Sequence, residues 1–257
     1  MADKEARLDK YVAEAAGITR KEAKTALSKG RVQVNGEVCK NGDQKVSEAD
    51  MVTLDGKSLK KEGFLYLMLN KPSGVVSATE DGRDKTVLDL VREQSTADAD
   101  SVSESGYFLG KREVFPVGRL DKDTEGLLLL TDDGELAHRL LSPKKHVDKV
   151  YFARLNGEVP EDASDRFEEG IQVGQDYKAL PANLEVLSVG DGCSEVLITL
   201  REGKFHQVKR MCHEIGCEVT YLKRLSMGSL ALDEALQLGQ CRKLTWEEIT
   251  MLKEYSR

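Results

Sequence analysis

The chain has 257 residues, 40% of them hydrophobic and 32% charged, with a formal net charge of −7. That length accommodates one or two domains with sizeable cores. No apolar run approaches the length of a membrane span, and polar Met1–Lys10 holds no signal-peptide core, so a cytoplasmic chain without membrane contact is expected. The five cysteines (Cys39, Cys193, Cys212, Cys217 and Cys241) are scattered and odd in number, which fits reduced thiols rather than a disulfide framework.

Residues 1 to about 60 read as a small unit. Leu8, Tyr11, Val12 and Ala15 follow helical spacing, and Gly17 ends that helix. Thr19 with Glu22 forms a capping box for a second helix, whose apolar side is Ala23, Ala26 and Leu27 and whose stop is Gly30. Val32 and Val34 alternate with polar residues up to Asn35-Gly36, a strong two-residue hairpin signal, and Val38 resumes the alternation. The second helix and its exit carry Arg20, Lys21, Lys24, Lys29 and Arg31 against a single acid, Glu22. Cations on a rigid surface are what phosphate contacts require, and local charge decides binding more than the acidic total.

Polar Lys57–Gly63 reads as a linker. Phe64–Asn70 is a strand-like run ended by a turn, Lys71-Pro72-Ser73-Gly74. Thr86 and Asp89 start a helix with Val87, Leu88 and Val91 inward, and Glu93–Gly106, nearly devoid of large apolar side chains, is expected to be a mobile surface loop. In Val117–Gly134 the run Leu127–Leu130 predicts a strand buried on both faces, closed by the turn Thr131-Asp132-Asp133-Gly134. The preceding loop, Gly118–Gly126, packs Arg119, Asp121, Lys122, Asp123 and Glu125 beside that core, and charges so placed need partners or a task.

Glu135–Leu141 is a short helix stopped by Ser142-Pro143, and Lys149–Leu155 a strand on which Tyr151 faces away from Val150 and Phe152. Pro160–Glu169 reads as a helix capped by Gly170, Leu184–Val189 and Glu195–Leu200 as sheet strands, and Glu218–Leu225 as a further strand. Gly203–Gly216 predicts a basic helix with Phe205, Val208, Met211, Cys212 and Ile215 on one face, His206, Arg210 and His213 opposite, and Lys209 at the margin. Thr245 and Glu248 open a terminal helix, with Trp246 as an apolar anchor. Strands and helices mix without regular βαβ alternation, and no glycine-rich phosphate loop is present, so the fold class is α+β with a mixed, mainly antiparallel sheet. His206, Cys212, His213 and Cys217 diverge around the helix, and Asp132-Asp133-Gly134 lacks calcium-ligand spacing, so no metal site is expected.

Thr19–Gly36, TRKEAKTALSKGRVQVNG, resembles the small RNA-binding module named after a ribosomal small-subunit protein, the alpha-L motif. VGRLDKDTEGLLLLTDDGELAHRLLSP resembles the signature of the bacterial pseudouridine synthases that modify small-subunit ribosomal RNA. NKPSGVVSATEDGRDKTVLDLV, DKVYFARL and EGKFHQVKRM are similar to three further pieces of that family, in the same order. The resemblance implies an RNA-binding domain over residues 1–60 and a catalytic domain over 61–257. It implies isomerisation of a uridine in ribosomal RNA to pseudouridine, by a monomer needing neither cofactor nor metal. A large-subunit RNA enzyme and a non-catalytic ribosome-assembly factor are the alternatives; intact Asp121, Tyr151 and basic helix speak against the latter.

Under this resemblance the family's essential aspartate falls on Asp121. A carboxylate there can attack ribose carbon 1, attack the base, or stabilise positive charge on the sugar. Tyr151 is expected to stack on the extruded uracil and to accept the proton at carbon 5. Motif alignment favours Lys209 as the cation facing Asp121, whereas helical projection puts Arg210 squarely on the polar face; both stand open. Arg119, His206, Gln207 and Arg210 are implied as substrate-binding, joined by Lys21 and Lys24 of the N-terminal module.

Overall fold

The computed structural model describes residues 5–47, 50–59, 63–97, 109, 112–142 and 145–256. The chain divides into two units, Met1–Gly63 and Phe64–Arg257.

In the first unit the helix Leu8–Ala16 ends on Gly17, whose φ of 64° is left-handed. The helix Arg20–Ser28 starts with the complete Thr19–Glu22 capping box. Leu8, Val12, Ala23 and Leu27 pack on Val32 and Val52. The strands Val32–Val34 and Glu37–Val38 pair across Asn35 and Gly36, both at positive φ, as the tight hairpin demands. One expectation is corrected. Lys57–Leu59 is not linker but a strand paired with Val52–Leu54, turned by Asp55-Gly56 at positive φ. The Asp-Gly signal outweighs the polarity of Lys57 and Ser58; residues 60–62 lie outside the described residues.

The second unit is built on one mixed sheet. Its main path runs Asn183–Gly190, Cys193–Leu200, Lys149–Asn156, Glu218–Met227, Glu125–Thr131, Tyr66–Lys71 and Cys241–Lys243. All these neighbours are antiparallel except Glu218–Met227 beside Glu125–Thr131, which is parallel. The leucine strand, Glu125–Thr131, is buried on both faces. Leu128 and Leu130 join Tyr151, Phe167, Val196 and Met211 on one side. Leu127 and Leu129 join Met68, Leu136, Leu140 and Leu252 on the other. Period-two alternation thus feeds two cores from one strand, and each fully buried leucine contributes about 2 kcal/mol.

The helices of this unit are Val87–Ala97, Gly134–Leu141, Ala163–Glu168, Gln207–Glu214 and Trp246–Tyr255. Asp133 accepts from Leu136 N at 3.0 Å and from the Tyr66 hydroxyl at 2.7 Å, so the acidic turn after the leucine strand caps the next helix and ties down the neighbouring strand.

Several boundaries and faces differ from the sequence reading. The first of these helices continues through Glu93–Ala97, where a loop was expected; residues 98–106 of that loop lie outside the described residues, as does Pro143. Pro160–Asp162 precede rather than join the helix Ala163–Glu168. The basic helix starts at Gln207 rather than Gly203, because His206 sits in the left-handed region at φ 50°. That break turns Phe205 out of the expected apolar face, leaving it 73% exposed. Trp246 is not an anchor but 74% exposed; Leu252, fully buried, does the packing for the terminal helix.

At the parallel junction the backbones approach closely. Gly126 has φ +99°, and a Cβ there would lie 2.3 Å from the Arg224 carbonyl oxygen. Gly126→Ala therefore combines left-handed strain with a backbone clash. It is expected to lower unfolding stability by about 2 kcal/mol or more, read as a shift of the urea midpoint.

Candidate active site

The loop Gly118–Gly126 leads into the leucine strand. It is held by a lysine whose place in the sequence is that of a turn residue. Lys71 is fully buried at the end of the adjacent strand. Its ammonium donates to the carbonyls of Pro72 (3.1 Å), Asp121 (3.0 Å), Lys122 (3.2 Å) and Thr124 (2.8 Å). Burial pushes its pKa down to about 8, opposed by the nearby carboxylates of Asp123, Asp121 and Glu125. Ser77 Oγ donates to Leu120 O at 2.9 Å and accepts from Leu120 N at 3.0 Å, and Gly74 N donates to Lys122 O at 2.7 Å. The charged loop therefore has its backbone locked from below. The signal in the sequence was a lysine closing the apolar run Leu65–Leu69.

A cleft of about 420 Å³ opens over this loop. Asp121, Thr124 and Arg119 line it from the loop, Lys149 and Tyr151 from the strand Lys149–Asn156, and Leu222 from the strand beside it. Lys204, His206, Gln207 and Lys209 close it from the start of the basic helix. Sequence positions about ninety residues apart thus meet in one cavity.

Within it, Lys209 Nζ lies 3.6 Å from Asp121 Oδ2 and 2.6 Å from Asp123 Oδ1. The ammonium holds the Asp123 carboxyl below the usual carboxylate range. His206 Nε2 is 3.6 Å from Asp121 Oδ1. Arg210 turns elsewhere: it pairs with Asp176 and lies over the Tyr177 ring. The cation facing Asp121 is therefore Lys209. The helical projection misled because the helix begins at Gln207, which changes where its polar face points. Gln207 is buried and already occupied, donating to Glu202 Oε1 at 2.7 Å and accepting from Lys204 N at 2.9 Å. Arg119 is exposed at the rim. Thr124 supports the loop through its backbone, its N–H reaching Asp121 O at 3.1 Å.

Lys21 and Lys24 belong to the first unit. With Arg7 and Arg20 they surround a shallow basic depression. Buried Asp9 organises it, accepting from Arg7 at 3.0 Å and Arg20 at 3.3 Å. The hydrogen bond from Arg7 chiefly holds its pKa down, to about 2.

A model of the RNA pseudouridylate synthase family matches residues 65–214, and an S4 domain model matches residues 6–52. The chain belongs to the RNA pseudouridylate synthase family. An uncharacterized RNA pseudouridine synthase from Bacillus subtilis is 45% identical over 250 residues, covering 96% of this chain and 98% of the relative. The ribosomal small subunit pseudouridine synthase A of Vibrio cholerae is 41% identical over 247 residues, covering 96% and 99%. A crystal structure of a pseudouridylate synthase superposes with a TM-score of 0.61 at 37% identity, covering 96% of this chain and 99% of that one. Among the described residues of this family member, no helix is long and apolar enough to cross a membrane.

The locked loop yields a direct test. Lys71→Met leaves the four carbonyls without their shared donor. Unfolding free energy is expected to fall by about 3 kcal/mol in urea titration. Single-turnover pseudouridine formation is expected to fall as well; an unchanged rate in a folded variant would show that the loop needs no such tie.

Proposed function

We propose that this chain isomerises a uridine of small-subunit ribosomal RNA to pseudouridine, in the cytoplasm, with the N-terminal unit (residues 1–60) gripping RNA and residues 61–257 carrying the chemistry. The observation that carries this reading is the meeting of Asp121, Tyr151 and Lys209 in one cavity. The relatives named for the small subunit support the choice of RNA.

In this reading the target uridine leaves the RNA stack and enters the cleft, where its base lies on the Tyr151 ring. Asp121 acts on the nucleotide as the bond from ribose carbon 1 to the base nitrogen breaks. Lys209 holds that carboxylate in position, with Asp123 fixing the ammonium from the other side. The base turns, its carbon 5 bonds to ribose carbon 1, the proton on carbon 5 is lost with Tyr151 the acceptor at hand, and the released nitrogen takes up a proton in its place. Atoms and electrons balance within the nucleotide, so the reaction consumes no redox partner. Arg119 and His206, at the cavity edge, contact the RNA, and Arg210 follows the backbone outside. Gln207 acts indirectly: its bonds to Glu202 and Lys204 set the first turn of the basic helix.

Two outcomes test this. Asp121→Asn is expected to release no tritium from RNA labelled at uridine carbon 5, while RNA affinity stays within a few-fold; normal release would remove Asp121 from the mechanism. The double change Lys21→Glu, Lys24→Glu is expected to weaken RNA binding and to lower the slope of log affinity against log salt by about 1 to 2. An unaltered slope would move the phosphate contacts off the basic depression.

A further inference from the structure

We propose that Lys149 contacts the substrate, its ammonium donating a hydrogen bond to a carbonyl oxygen of the uracil as the glycosidic bond breaks. The proposal rests on the isomerisation reading and adds a residue to it.

Lys149 and Tyr151 stand on the same face of one strand, whose inward positions are Lys149, Tyr151, Ala153 and Leu155. Two residues along a strand span about 7 Å. Both line the cleft, so a base seated on Tyr151 lies beside Lys149. An inward register position on a sheet is ordinarily apolar, and here it holds a lysine only 6% exposed.

Its partners do not account for it. Among the described residues Nζ makes one hydrogen bond, to Val147 O at 3.1 Å, and no ion pair. Among the described residues two of its N–H donors are unspent. The charges around it do not neutralise it either. Asp148, the adjacent residue, bonds Arg201 at 2.8 Å and receives the Tyr255 hydroxyl at 3.3 Å. From the neighbouring strand another cation acts on it, Arg224, almost fully buried and cross-strand to Tyr151. Arg224 Nε donates to Leu127 O at 2.8 Å, while Nη2 is buried without a hydrogen-bond partner among the described residues. Across the cleft Lys204 sits on Glu202, and Lys209 on Asp123 and Asp121. Burial first, and Arg224 second, push the Lys149 ammonium down to about 8, so it keeps its proton at neutral pH. Two buried cations without a carboxylate are costly unless an anion arrives.

The reaction supplies one. When Asp121 attacks ribose carbon 1 or stabilises the positive sugar, the electron pair of the carbon–nitrogen bond leaves with uracil, and the charge spreads onto its two carbonyl oxygens. A buried ammonium aimed at that oxygen binds the detached base more tightly than the intact nucleotide, which is the condition for lowering the barrier. It also keeps the loose base on Tyr151 while it turns. No bond to Lys149 forms or breaks.

The test uses the full-length chain and a small-subunit ribosomal RNA fragment whose modified uridine has been mapped. That uridine is replaced by 2-thiouridine or 4-thiouridine, since sulfur is a weaker hydrogen-bond acceptor than oxygen. Lys149→Met, close in shape, is expected to bind RNA within a few-fold of wild type and to react at least a hundredfold more slowly in single turnover. Lys149→Arg is expected to recover part of that loss. Wild type is expected to discriminate against one of the two thio-substrates by about tenfold or more. In Lys149→Met that discrimination is expected to disappear, which a purely structural role would not produce. Equal discrimination in both proteins, full activity of Lys149→Met, or a loss confined to RNA affinity would each overturn the role of Lys149 while leaving the isomerisation reading intact. A wild-type chain that converts no uridine would overturn both.

Discussion

A single buried ammonium sets the geometry on which the rest of the site depends. Lys71 gathers the carbonyls of Pro72, Asp121, Lys122 and Thr124 around one point beneath the loop. Backbone that converges on a cation has little freedom, so Asp121 is presented by a loop that behaves like part of the sheet. The same contact reconciles two demands that ordinarily conflict. The loop must carry many charged side chains, yet sit against an apolar core. With its main chain paid for from below, its side chains can point into the cleft.

The sheet extends this rigidity across the unit. The leucine strand feeds cores on both its faces, and Gly126 lets it approach Arg224 more closely than any side chain would allow. The parallel pairing at that junction places the strand from Glu218 to Met227 between the leucine strand and the tyrosine strand. Leu222 and Tyr151 thereby line the same cleft as Asp121. A purely local hairpin could not bring these residues together, because they come from segments far apart in the chain.

Charge is arranged locally rather than globally. An acidic chain keeps its cations where anions are to be met: at the basic depression organised by Asp9, and along the cleft. Lys209 is neutralised by Asp121 and Asp123, and Lys204 by Glu202, while Lys149 and Arg224 carry no such counter-charge among the described residues. Of this unbalanced pair, Lys149 lines the cleft together with Tyr151, where the proposed reaction develops its negative charge.

Much of this was legible in the order of residues. The capping boxes at Thr19 and Thr245, the Asn35-Gly36 hairpin and the doubly buried leucine run are local patterns, and local physics decides them. The α+β class, the family and the aspartate loop followed from such patterns and from ordered motifs. Other features were invisible because they depend on distant partners. Lys71 reads as a turn residue, yet three carbonyls from the loop and that of Pro72 close on it. Phe205 and Trp246 read as core, yet a left-handed His206 and the packing of Leu252 left both exposed. The choice between Lys209 and Arg210 turned on a helix starting four residues later than periodicity suggested. Periodicity reports which residues share a face, but only tertiary packing decides where that face points, and with it which charge meets Asp121.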